Sequence, residues 1–174
     1  MIEDEFVMDM INLGGRRHNR PRSGWERRLQ MEAEGFQCTH CRAYVSANRM
    51  LAGVQNRNHC PYCLWSRHLD LYVAGDRLAA CREKMKPVGL ALKQTAKKYG
   101  PGWGELMLVH ECQECGKVSL NRIAADDVAE TLFEVYRGSC AGSLQTHLED
   151  SGLRVLGPEE EEIVLKRLFG VRES

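Results

Sequence analysis

"FQCTHCRAYVSANRMLAGVQNRNHCPYC", residues 36–63, contains two Cys-x-x-Cys pairs, Cys38/Cys41 and Cys60/Cys63, with eighteen residues between them. Thiolates two residues apart curl around one cation through a tight knuckle, and two knuckles complete a tetrahedron, so this spacing predicts a four-cysteine zinc ribbon. The alternative, four buried cysteines acting as small hydrophobes, leaves the doubled spacing and Pro61 inside the second knuckle unexplained. Four thiolates leave no open position for water, so such a site holds the fold together rather than catalysing. It also carries a formal charge of −2, and peptide N–H groups with Arg42, Arg57 and Arg67 are expected to balance it.

A third knuckle, Cys112-x-x-Cys115-Gly116, has no second pair to complete it; Cys81, Cys140 and six histidines are left over. Cys81 and His110 are the expected partners. In "HECQEC", His110 stands two residues before Cys112 and so on the same side of an extended strand. His59, His68, His147 and Cys140 are the alternatives to His110, and Cys140 otherwise reads as an ordinary thiol. Two zinc ions are therefore expected. Six of eight cysteines in Cys-x-x-Cys pairs, behind an acidic "MIEDEFVMDM" start with no basic and apolar leader, point to metal rather than disulfides and to a cytoplasmic protein. No apolar run is long enough for a membrane span, so no membrane partner is expected.

The 174 residues carry no net charge, but the balance is uneven. Residues 14–104 hold seventeen Lys/Arg against six Asp/Glu, a formal +11; residues 105–174 are −7 and residues 1–13 are −4. The basic region should behave differently toward a polyanion from the acidic ends.

Residues 1–35 read as an acidic start, with Phe6, Val7, Met10, Ile11 and Leu13 on one side of a short helix, then a basic arm "GGRRHNRPRSG" over 14–24. A short helix over 25–35 follows. Residues 36–128 read as the zinc-binding domain, with strands around 43–47, 86–92, 103–111 and 117–124 and a turn at 98–104. Residues 129–174 form an acidic helical extension. The helical signals themselves cover 126–138, ending at Gly138, and 158–169, with Pro158 in the first turn. The expected fold is small and mixed β+α: a zinc-ribbon-like β domain with two metal sites, flanked by short helices.

The string Arg57-Asn58-His59-Cys60-Pro61 resembles the signature for which the RNHCP domain family is named. "FQCTHC", "RNHCPYCLWSRHLD", "GDRLAAC", "VHECQECG" and "NRIAADD" are similar to that family's successive blocks over about residues 36–128. The resemblance implies a small zinc-binding bacterial domain, and it supports grouping Cys81 and His110 with Cys112 and Cys115. It does not imply an activity.

His59, His68 and Asp70 admit two readings. In the favoured one they are outer groups: His59 packs on the four-cysteine site, and Asp70 orients His68 or a nearby arginine. In the other, His59 or His68 is a general base with Asp70, Asp126 or Asp127 as orienter or as a ligand for Mg²⁺. Asp126 and Asp127 otherwise cap a helix or pair with Arg57 and Arg122.

The leading function is nucleic-acid binding by an accessory factor, with RNA or the ribosome preferred over duplex DNA. Arg16, Arg17, Arg20, Arg22, Arg57 and Arg67 are the expected phosphate contacts, and Trp25, Trp65 or Tyr62 the stacking residues. A metal-dependent hydrolase or nuclease is the alternative. The third reading is a protein-interaction adaptor using the apolar faces of 5–13 and 160–169.

Overall fold

The computed structural model describes residues 35–93, 104–140 and 154–170. The expected helices at 5–13 and 25–35, the basic arm and the turn before Gly104 lie outside these residues.

The ribbon comes first. Strand β1 (Phe36–Gln37) pairs antiparallel with β2 (Tyr44–Val45), Phe36 opposite Val45. A single helical turn, α1 (Arg49–Ala52), follows, capped by the Asn48 side chain accepting from the Met50 N–H. Strand β3 (Ser66–Arg67) leaves the ribbon and becomes the edge of a four-stranded antiparallel sheet with β4 (Lys84–Lys93), β5 (Glu105–Cys112) and β6 (Val118–Arg122), in the order β3-β4-β5-β6.

Alternation assigns the two faces of this sheet. Leu90 pairs with Leu108, and Leu92 with Leu106. Their common face is covered by helix α2 (Ala129–Cys140) and by α3 (Glu161–Phe169), which begins after a 3-10 turn at Pro158–Glu160. Leu64, Leu90, Leu106, Leu108, Leu132, Tyr136, Leu156 and Val164 form one core there. Each such side chain contributes roughly 1.5–3 kcal/mol when fully buried. The described part of 129–174 is thus packed into the same core as the sheet. Chain 155–156 runs along β4, where Val155 bridges Ala91 and the Leu156 N–H donates to Leu90 O at 2.8 Å. Gly89 permits this approach, because a Cβ there would meet Val155 Cγ1 at 2.6 Å.

Helix α2 begins at residue 129, later than expected, and runs through Gly138. Asp126 and Asp127 are engaged elsewhere, as described below, and the Val128 N–H donates to Pro61 O at 3.0 Å. That bond and Ala125 N–H to Ala52 O, at 2.8 Å, tie the ribbon to the entrance of α2. The ribbon itself has little apolar filling: Cys38, Val45 and Cys60, with Phe36, Ala43 and Cys63 against them. Cross-linking by a metal bound at its cysteines would supply what its core lacks.

Candidate metal centres

The three Cys-x-x-Cys knuckles have one local design. The first cysteine donates its N–H to the carbonyl five residues on: Cys38 to Ala43 at 2.8 Å, Cys60 to Trp65 at 3.0 Å and Cys112 to Lys117 at 2.9 Å. Its carbonyl accepts from the residue four on, Arg42, Leu64 or Gly116, at 2.9–3.1 Å. All three of those residues adopt the left-handed conformation, with φ of 67°, 60° and 69°. Only Gly116 does so without steric cost. Such turns aim both sulfurs and nearby peptide N–H groups at one point.

At the first point Cys38, Cys41, Cys60 and Cys63 converge, their sulfurs all within 4.8 Å of one another. Cys38 Sγ lies 3.6 Å from Cys63 Sγ, as Cys41 Sγ does from Cys60 Sγ. These separations approach the edge of about 3.8 Å of a tetrahedron whose centre lies roughly 2.3 Å from each sulfur, and far exceed the roughly 2.05 Å of a disulfide. Burial pushes the Cys60 and Cys63 thiols up, whereas a hydrogen bond from the Ala43 peptide pulls Cys41 down. A dication among them favours the thiolates. The neutralising donors are peptide N–H groups, for example His40 N–H to Cys38 Sγ at 3.4 Å. Two of the three expected arginines are turned elsewhere: Arg57 binds Asp126 and Asp127, and Arg67 donates to the Arg82 carbonyl.

At the second point the structure brings together His68, Cys81, Cys112 and Cys115. Cys81 Sγ lies 3.7 Å from Cys112 Sγ, and His68 Nδ1 3.3 Å from Cys115 Sγ. His68, named only as an alternative, stands where His110 was expected. The reason is the register. Met85 on β4 faces Ser66 of β3 on one side and Cys112 of β5 on the other, so the chain ends beyond those two residues meet. His110 does share the face of Cys112, but it lies two residues back along the strand, inside the core. Fully buried, it hydrogen-bonds Leu64 O through Nε2 at 2.6 Å and the Asn121 amide through Nδ1 at 2.8 Å. Burial drives its pKa down to about 3, with His59 adding to the effect. The ring is therefore neutral near pH 7, donating from Nε2 and accepting at Nδ1. His68 Nε2 is buried with no hydrogen-bond partner among the described residues. Cys140 lies away from both groups, its sulfur 4.0 Å from Leu156 O. His147 lies outside the described residues.

Four sulfurs in one group, and three sulfurs with an imidazole in the other, are donor sets that suit a borderline-soft tetrahedral cation and are consistent with zinc. Elemental analysis provides a direct check. His68→Ala is expected to lower metal content from two ions per chain toward one; His110→Ala should retain two while losing stability, and the reverse pattern would return His110 to the site.

Arg57, His59 and Asp70, the other candidates within 57–70, are each held by partners inside the fold. The Arg57 side chain, 1% exposed, makes a salt bridge to Asp126 at 2.7 Å and another to Asp127 at 3.2 Å. His59 Nε2 lies 2.8 Å from Asp127 Oδ2, the two side chains being 2% and 0% exposed. Asp127 also accepts the Ala124 N–H at 2.7 Å. Arg57 and His59, expected as a phosphate contact and a candidate base, thus form a buried clamp between the ribbon and the start of α2. Arg122 pairs with Glu105 instead, at 3.1 Å. Asp70 accepts from Gly75 N–H at 2.8 Å, Arg77 N–H at 3.2 Å and Asn58 Nδ2 at 3.1 Å. Of the two groups it was expected to orient, it faces the arginine, with Arg77 Nε 3.9 Å away, and shapes the 70–78 loop. Asp76 completes that loop by accepting four peptide N–H bonds, which hold its carboxyl well below the usual range, the Val73 peptide foremost.

The fold and the two thiol-rich groups define a small metal-binding β+α domain of the zinc-ribbon kind. The model of the RNHCP domain matches residues 33–133, and the chain belongs to that family. Comparison with curated proteins and with solved structures returns no match.

Proposed function

We propose that this protein is a zinc-stabilised nucleic-acid-binding accessory factor acting in the cytoplasm, with single-stranded RNA or the ribosome preferred over duplex DNA. The observation behind this reading is the charge left exposed on the first half of the domain. Between residues 35 and 93 there are nine Lys/Arg against three Asp/Glu, and seven of the nine are exposed. Two of the three acids, Asp70 and Asp76, have their carboxylates turned onto peptide N–H groups. The surplus is therefore free to act on phosphates. Arg16, Arg17, Arg20 and Arg22, outside the described residues, would add to it. No described helix is long and apolar enough to cross a membrane.

Mobility shifts with single-stranded RNA, at about 50 and 200 mM salt, test the proposal. For about five phosphate contacts the affinity should fall roughly a hundredfold between the two. Absent or salt-indifferent binding rejects it.

No observation favours the hydrolase reading, since His59 is buried on Asp127, His68 belongs to the second ligand group, and Asp70 serves its own loop. For the adaptor reading, the face at 160–169 is only partly exposed, Phe169 keeping 42% of its surface. Val164 of α3 is in the core, and Phe169 packs edge-on against Phe133 of α2, with ring centroids 6.1 Å apart.

A further inference from the structure

We infer that the arginine-lined groove between the ribbon and the 69–82 segment is a seat for one unpaired nucleotide of a single-stranded RNA. This deepens the nucleic-acid reading above and rests on it.

The groove has a volume of about 490 Å³, and its walls include Phe36, Trp65, Arg67, Arg77 and Arg82. That volume falls within the roughly 300–1,000 Å³ of ligand clefts. No Asp or Glu is among the lining residues, which instead supply side-chain amides beside the guanidinium groups. Arg57 also reaches the wall, but its charge is met by Asp126 and Asp127.

Each of the other three arginines keeps donors for a phosphate. Arg67 gives Nε and Nη2 to the Arg82 carbonyl, at 3.3 and 3.2 Å, which fixes its plane and leaves its remaining N–H groups available. Arg77 donates Nη1 to Asn58 Oδ1 at 2.6 Å and has Nε 3.9 Å from Asp70, which meets part of its charge, so Arg67 and Arg82 carry most of the groove's free charge. No hydrogen bond or ion pair holds the Arg82 guanidinium among the described residues. Guanidinium forks suit phosphate oxygens, and forks held in place before binding lose little entropy when they meet them.

The aromatic component is also pre-set. Trp65 is stacked on His40 with centroids 4.2 Å apart and planes 3° from parallel, so the indole is fixed at the wall. A base set against an indole adds affinity whatever its identity, while the wall amides of Gln37 and Gln55 can meet its polar edge. A base held in a duplex cannot enter a cleft of this size without unpairing, which is why a single strand is the expected occupant.

The test uses the full, zinc-loaded chain with three probes: a mixed-sequence RNA of about ten nucleotides, the same RNA as a duplex, and uridine or adenosine monophosphate. The single strand should bind tightest. Arg82→Gln should weaken it about tenfold and lower the slope of log affinity against log salt by about 0.7, the loss of one phosphate contact. Trp65→Leu should weaken it by a similar factor with the slope unchanged. Both variants should keep two metals. Independently of any change at the groove, a Trp25→Phe/Trp103→Phe protein should still show quenching of its remaining indole by RNA. Wild-type RNA binding untouched by either groove variant, with no such quenching, overturns the groove and leaves the nucleic-acid reading standing. Monophosphates binding as tightly as the RNA strand overturn the assignment to a strand, and no binding by any probe overturns both readings.

Discussion

Chelation of the zinc-loaded protein is expected to unfold the ribbon while leaving much of the sheet–helix core in place. Amide exchange should show the peptides over 36–63 losing protection completely, with β4, β5 and α2 retaining part of theirs. The energetic comparison decides this. Structural zinc contributes an apparent 10–16 kcal/mol in small peptides, as much as the roughly 5–15 kcal/mol that holds a whole domain folded. On the apolar side, the ribbon's cluster is Cys38, Val45 and Cys60 with three partly buried neighbours, against eight large buried side chains beneath the sheet. Cys60→Ser should reproduce the ribbon's loss with one metal retained. Full protection of 36–63 after metal removal would show that the ribbon stands on packing alone.

The second large effect is expected at Arg57. Arg57→Met leaves Asp127 buried with His59 and without its cation, and opens the join between the ribbon and the start of α2. Removing one partner of a buried ion pair costs about 3–5 kcal/mol. Asp126, 38% exposed on its side chain, can recover hydration, but Asp127 at 0% cannot. Urea unfolding should therefore show a loss of that size at unchanged metal content. The folded variant should bind RNA as the parent does, because Arg57 faces carboxylates rather than solvent. A loss below about 1 kcal/mol would reduce the clamp to a surface pair.

The strands were readable wherever apolar residues continued beyond a single turn. The stretch 86–92 lies within β4 and 103–111 overlaps β5, and 158–169 coincides with the final turn and α3. By contrast β1, β3 and α1 are two to four residues long and carry no periodicity of their own. Metal knuckles and long-range pairing create them. The first ligand group was legible because all of its information is in local spacing. In the second, Cys81, Cys112 and Cys115 were legible but the fourth member was not, because which histidine joins them depends on β3 and β5 flanking the same residue of β4. Counting by twos placed His110 on the correct face of β5, but it could not say how far along that face the metal lies. For Asp126 and Asp127 the sequence offers two roles, a helix cap or pairing with Arg57 and Arg122; Arg57, sixty-nine residues from Asp126, does pair with both, whereas Arg122 turns to Glu105.

Cys63 belongs to the first ligand group and His68 to the second, with only four residues between them, two of which are β3. The centres are therefore coupled through one short strand. Filling the first fixes the residues that carry His68 and narrows its search for Cys81, Cys112 and Cys115, and filling the second does the same in reverse. Two ions that each prepare the other's ligands should bind cooperatively, so the single ion kept by a Cys60→Ser or His68→Ala chain should need more free zinc to stay bound. Along a zinc titration the singly loaded chain should be scarce, and the domain should switch between an apo and a fully loaded form over a narrow range of free zinc.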